Sequence, residues 1–205
     1  IASCLVGSEM CIRDRNVALM CGRFTLTKTQ KFESIPPEQR LASFNVAPSN
    51  QIIILDPEPM LKTWSYSPLW AKKPFHLINC RSETMHQKPS FKGAMRCLIP
   101  TTGWYEWQDN GTHKQPYYHH INHDLFYFAG LANNQGCLIV TKEANKDIKQ
   151  IHHRQPVLLT QNEGDHWLNN EDQLESELDN LIEFYPVSTK VNSPKNNSPE
   201  LIQPL

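Results

Sequence analysis

Residue 21 is a cysteine directly after a methionine, in the run Met20-Cys21-Gly22-Arg23-Phe24. A methionine followed by a small residue is normally trimmed, which leaves Cys21 with a free α-amine. The residue is then a 1,2-aminothiol, whose amine titrates about two units below a lysine's and is substantially neutral near pH 7. Such an amine attacks an aldehyde to give a Schiff base, and the adjacent thiol can add to the imine carbon to close a five-membered thiazolidine. Held inside a chain, the same cysteine reads as a small buried hydrophobe. Two acid/base groups stand in unusual settings. Glu106 lies between aromatics in Gly103-Trp104-Tyr105-Glu106-Trp107, and His152 heads His152-His153-Arg154-Gln155-Pro156. Apolar flanks raise a glutamate's pKa towards neutrality, where it can shuttle protons. The plainer alternatives are an exposed strand residue for Glu106 and a satisfied core histidine for His152. In Asn79-Cys80-Arg81, strand spacing would put Asn79 and Arg81 on one face, combining an amide with a guanidinium fork suited to phosphate.

Trp64, Trp70, Pro48 and Arg23 could line a stacking groove for a single-stranded nucleic acid, with Lys72, Lys73, Lys88, Lys92 and Arg96 adding positive charge nearby in sequence. The tryptophans read equally well as core residues. His119-His120-x-x-His123 and His152-His153 offer imidazoles, but adjacent strand histidines face opposite ways. No His or Cys pair has zinc-finger or H-E-x-x-H spacing, so neither a metal nor a cofactor is expected.

These groups must be positioned by a chain of 205 residues, long enough for one well-buried core and short for two ordinary domains. With 20 Lys and Arg against 21 Asp and Glu, a nucleic-acid site must come from local clustering, not a global field. Six scattered cysteines without a C-x-x-C pair or an apolar leader fit reduced thiols in the cytoplasm. Apolar runs such as residues 52–55 are far too short to cross a bilayer. Residues 1–19 lack periodicity and fit no targeting class, so they read as an artefactual leader ahead of a domain over residues 20–205. Short strands are expected over residues 51–55, 61–66, 96–99, 117–121, 125–131, 137–141 and 156–159, which argue for a curled antiparallel sheet or open barrel. Helices are expected over residues 28–34, 163–168 and 172–184, the last with Leu174, Leu178, Leu181 and Ile182 on one face. Residues 188–205 read as an extended loop.

Taken together, Met20-Cys21-Gly22-Arg23-Phe24, Asn45-Val46-Ala47-Pro48, Trp64-Ser65-Tyr66-Ser67-Pro68-Leu69-Trp70, Asn79-Cys80-Arg81-Ser82-Glu83-Thr84, the Glu106 motif and the His152 motif resemble the SOS-response-associated peptidase (SRAP) family, also called abasic site processing proteins. The match runs in order from Met20 to Leu205. The resemblance implies a single α+β domain with a curled, largely antiparallel, β-barrel-like core and flanking helices. It also implies a monomer that binds single-stranded DNA and crosslinks itself to abasic sites through a thiazolidine, shielding them from cleavage. Cys21, Asn79, Glu106 and His152 take the catalytic places: the asparagine orients the terminus, and the glutamate and histidine move protons. Arg23, Pro48, Trp70, Arg81 and Thr141 take the DNA-binding places. The chain departs from the family pattern at Ser65 (glycine), Cys80 (alanine) and His153 (aspartate), and the last should alter the pKa of His152 through loss of a nearby carboxylate. Two other functions remain open at this level: a Cys21–His152 peptidase acting on its own leader, which needs no free amine, and a non-catalytic reader of single-stranded DNA.

Overall fold

The computed structural model describes residues 21–205, so the expectations for residues 1–19 and for removal of Met20 lie outside the described residues. In chain order the strands are β1 (Arg23–Leu26), β2 (Ser43–Val46), β3 (Gln51–Leu55), β4 (Pro59–Thr63), β5 (Asn79–Arg81), β6 (Met95–Thr101), β7 (Gly103–Asp109), β8 (Lys114–His120), β9 (Phe126–Asn133), β10 (Gly136–Glu143), β11 (Arg154–Pro156), β12 (Leu158–Leu159) and β13 (Glu183–Pro186). Two sheets result. One runs β13-β8-β7-β1-β2; the other runs β11-β10-β9-β6-β3-β4, with β12 beside β9 and β5 beside β10. All of these pairings are antiparallel except β5 with β10. Neither path closes on itself, although Trp64, just past β4, makes a single parallel bridge to Cys137 of β10, so the barrel-like core expected above is corrected to two packed, unclosed sheets.

The chain passes between sheets at Thr101-Thr102, where β6 gives way to β7. Both threonines are buried, and their hydroxyls are taken up locally: Thr101 donates to the Thr25 and Gly103 carbonyls, at 3.0 and 2.9 Å. Gly103 has no room for a side chain, because a Cβ there would lie 2.3 Å from the Tyr118 hydroxyl across the β7–β8 ladder. Between the sheets, Phe24 and Trp104 from one meet Phe128 from the other edge-on, with ring centroids 6.0 and 6.1 Å apart. Trp64 joins this core fully buried, its indole N–H donating to the Ile78 carbonyl, so it is a packing residue and not part of a stacking groove.

Three helices were expected, and among the described residues one α-helix forms, α1 (Gln161–Leu168). It starts at a reciprocal cap in which Thr160 and Glu163 satisfy each other's backbone N–H groups. Trp167 anchors it, donating to the Cys97 carbonyl at 3.1 Å under the Arg96 guanidinium. Arg96, which also pairs with Asp172, is thereby a strut and not a groove cation. Residues 29–35 form two successive four-residue turns, closed by Phe32 N–H to Thr29 and Ile35 N–H to Phe32, since Pro36 leaves too little length to repay nucleation. Residues 172–184 are claimed piecemeal by tertiary contacts instead of forming a helix. Asp179 is held by Lys142 and Gln155, a 3-10 turn covers Glu177–Asn180, and Phe184 enters β13 opposite His119. Leu181, placed on the expected apolar face, is 56% exposed. The tail, expected as an extended loop, instead contains two 3-10 turns, Thr189–Asn192 and Pro199–Ile202, because Val191 and Leu201 turn inward and are buried.

Candidate active site

Antiparallel pairing of β1 with β7 matches Arg23 to Tyr105 and Phe24 to Trp104. Continued by one step, that register carries the chain ahead of β1 alongside Glu106. Alternation along β7 puts Glu106 on the same inward face as Trp104, while Tyr105 faces a separate cluster with Tyr118, Val187 and Leu201. Glu106 is therefore 1% exposed, and its Oε1 accepts from both the Cys21 backbone N–H at 2.9 Å and the Cys21 thiol at 2.7 Å. Cys21 is equally buried and has a left-handed backbone, φ 42°, which aims its nitrogen and its sulfur at one carboxylate oxygen.

Burial pushes the Glu106 carboxyl up to about 8, against a smaller opposing pull from the two Cys21 hydrogen bonds. Burial, reinforced by the Glu106 charge, also raises the Cys21 thiol well above its ordinary value. Both groups thus keep their protons near neutrality while Cys21 is inside the chain. When Cys21 is the first residue, its nitrogen is an amine in the same place, and an ammonium there would draw Glu106 back down.

His152 arrives from the second sheet, just ahead of β11. Its Nδ1 lies 3.9 Å from Glu106 Oε2 and 3.2 Å from both the backbone N–H and the carbonyl of Arg154, so either tautomer finds a partner. Burial lowers its pKa, and His153, ring centroid 4.5 Å away, lowers it further. Arg154 is buried and grips Glu83 with both terminal nitrogens, at 2.6 and 2.9 Å, while donating to the Thr141 carbonyl at 2.7 Å. That grip ties the segment after β5 to β10 and β11. The parallel register of β5 with β10 sets Asn79 against Ile139 and Arg81 against Thr141.

Cys21, Glu106 and His152 are in direct contact or close to it; Asn79 stands half-buried on β5. Among the DNA-binding expectations, Arg23 lines the same cleft as Glu106 and His152, about 300 Å³ in volume. Pro48 is half-buried in a turn, Trp70 is 59% exposed beside Phe75, and Arg81 is exposed with no ion pair among the described residues. Thr141 is fully buried, and its hydroxyl donates to the Cys80 carbonyl, so it braces β5 and presents nothing to the surface. The sequence reading missed Trp107, Lys114 and Asn192, which complete the cleft. Trp107 and Lys114 belong to the β7–β8 hairpin, and β7 was not foreseen as a strand; Asn192 came from the tail, where no pattern marks a site. Among the described residues no group of three or more His, Cys, Asp and Glu could hold a metal ion. No helix there is long and apolar enough to cross a membrane.

A family model described as SOS response associated peptidase (SRAP) matches residues 20–194. The chain belongs to the SRAP family. It is 35% identical to a Bacillus subtilis SRAP relative named abasic site processing protein YoqW, over 90% of this chain and 99% of that one. It is 29% identical to abasic site processing protein YedK of Escherichia coli, over 91% of this chain and 100% of that one. For abasic site processing protein HMCES of Gallus gallus the identity is 30%, over 78% of this chain and 60% of the relative. A solved structure from Bacteroides thetaiotaomicron superposes with a TM-score of 0.71 at 22% identity, over 90% of this chain and all of that one, and so shares the SRAP fold.

Proposed function

We propose that this chain processes abasic sites in single-stranded DNA, joining Cys21, as the first residue, to the deoxyribose aldehyde in a thiazolidine crosslink that shields the site. The observation that carries this reading is the convergence of the Cys21 nitrogen and thiol on one oxygen of Glu106. Those are the two atoms that must lose protons during ring formation. The neutral amine adds to the aldehyde carbon, and the carbinolamine loses its hydroxyl as water with a proton supplied by Glu106. The thiol then adds to the imine carbon, passing its proton to the Glu106 carboxylate. His152, 3.9 Å from the other carboxylate oxygen, exchanges protons between Glu106 and the cleft. Asn79 orients the terminus, and Pro48, Trp70 and Arg81 guide the DNA strand, while Arg23 braces the cleft wall from beneath; the protein acts as a monomer in the cytoplasm. The thiol bonds to a carboxylate and not to an imidazole, which gives a Cys–His peptidase less support.

Intact-mass measurement on protein expressed from Met20 tests this reading. The mass should lack methionine and, after incubation with abasic single-stranded DNA, rise by the strand minus one water. Absence of that adduct, or full crosslinking by a chain that keeps residues ahead of Cys21, would overturn it.

Non-covalent affinity should also fall as salt rises. Arg81→Ala should weaken binding across sequences and flatten the salt slope by roughly 1, as expected for one lost phosphate contact. Identical slopes for the two proteins would remove Arg81 from the interface.

A further inference from the structure

We infer that Lys114 binds the phosphodiester next to the abasic sugar, holding the strand at the mouth of the reaction cleft; this rests on the abasic-site reading above. Two cations line the cleft, Arg23 and Lys114. Arg23 is already committed: its guanidinium donates to Asn45 Oδ1 at 2.9 Å and to the Val191 and Asn192 carbonyls at 2.8 and 3.3 Å. It serves as a strut between β1 and the tail. The Lys114 side chain is exposed, and its ammonium makes no hydrogen bond or ion pair among the described residues. Its partner across the hairpin, Asp109, turns its carboxylate to the Gly111 N–H at 2.9 Å. The ammonium is thus left to the cleft, where its field reaches His152.

A substrate sugar must bring its C1′ carbon down to Cys21 beside a buried carboxylate. Its flanking phosphates are covalently tied to that sugar, so at least one stays near the cleft mouth. An anion approaching Glu106 needs a compensating charge on the wall, and Lys114 is the cleft cation with its donors unspent. A lysine suits this place because its three donors turn on a flexible stem and its exposure makes desolvation inexpensive.

The test is a double-mutant cycle between the side chain and the phosphate. Second-order crosslinking rates would be measured for the parent, Lys114→Ala and Lys114→Arg on abasic single strands with ordinary linkages. The same strands would then carry a neutral methylphosphonate on the 5′ or the 3′ side of the site. Lys114→Ala should slow crosslinking to the ordinary strand about fivefold, in line with an exposed charge pair, and Lys114→Arg should restore most of the rate. On one of the two methylphosphonate strands the parent should lose a similar factor, and Lys114→Ala should add little to it. Multiplying effects on both strands, or an unaffected Lys114→Ala on the ordinary strand, would overturn the assignment. If the parent itself formed no crosslink, the abasic-site reading would fail; a crosslinking parent with an indifferent Lys114→Ala would fail this inference alone.

Discussion

Cys21→Ser is expected to abolish durable crosslinking to abasic single-stranded DNA while leaving an imine that borohydride can trap. The substitution keeps the amine and replaces the thiol by a hydroxyl of similar reach. At 2.7 Å from Glu106 Oε1 the pocket already accommodates a hydrogen bond of O–H···O length, so the fold should tolerate the change. What is lost is nucleophilicity: a hydroxyl adds poorly to an imine, so the ring does not close and hydrolysis returns the amine. A denaturing-gel time course, with and without reductant, reads both outcomes at once. Heat-stable adducts at the parental rate without reductant would exclude the thiazolidine and turn attention to an internal lysine.

Glu106→Gln should slow crosslinking by about 10²–10⁴-fold with little change in DNA affinity, the range for a positioned proton-transfer group. His152→Ala should slow it less, because its Nδ1 stands 3.9 Å from the carboxylate and outside direct reach of the thiol contact. Equal affinity and equal rate for Glu106→Gln would remove the carboxyl from the proton path. Glu106 also leaves a signature in stability when Cys21 is held inside an extended chain. Its folded pKa, raised to about 8, lies above the ordinary value of 4.5. Between those values the unfolded chain releases a proton that the folded chain keeps. Stability from this group is therefore full below about pH 4.5 and is lost as pH rises towards 8. Denaturant midpoints at pH 5 and pH 8 should fall further in that extended chain than in its Glu106→Gln variant.

Much of this protein was determined by its sequence locally. The strands expected over residues 51–55 and 137–141 lie in β3 and β10, and the helix expected over residues 163–168 forms within α1. The chemistry of Cys21 is legible from its residue type and from the methionine before it, whereas the lowered pKa of His152 comes first from burial, which its sequence neighbours do not disclose. Glu106 was marked by its aromatic neighbours, yet only one of them helps bury it in the core. Strand alternation turns Tyr105 to another cluster, and the burying surface is the interior shared with Trp104 and Cys21. Likewise Trp64 and Trp70 look alike in sequence, and only packing made the first core and left the second 59% exposed. Residues 172–184 carry a helical pattern that lost to Asp179 ion pairing and to the open edge of β8, each worth more than local propensity. A side chain's identity and its neighbours in the chain set what it can do. Whether it meets water, a carboxylate 85 positions away or a tryptophan is decided by strand pairing between distant segments, which no local pattern encodes.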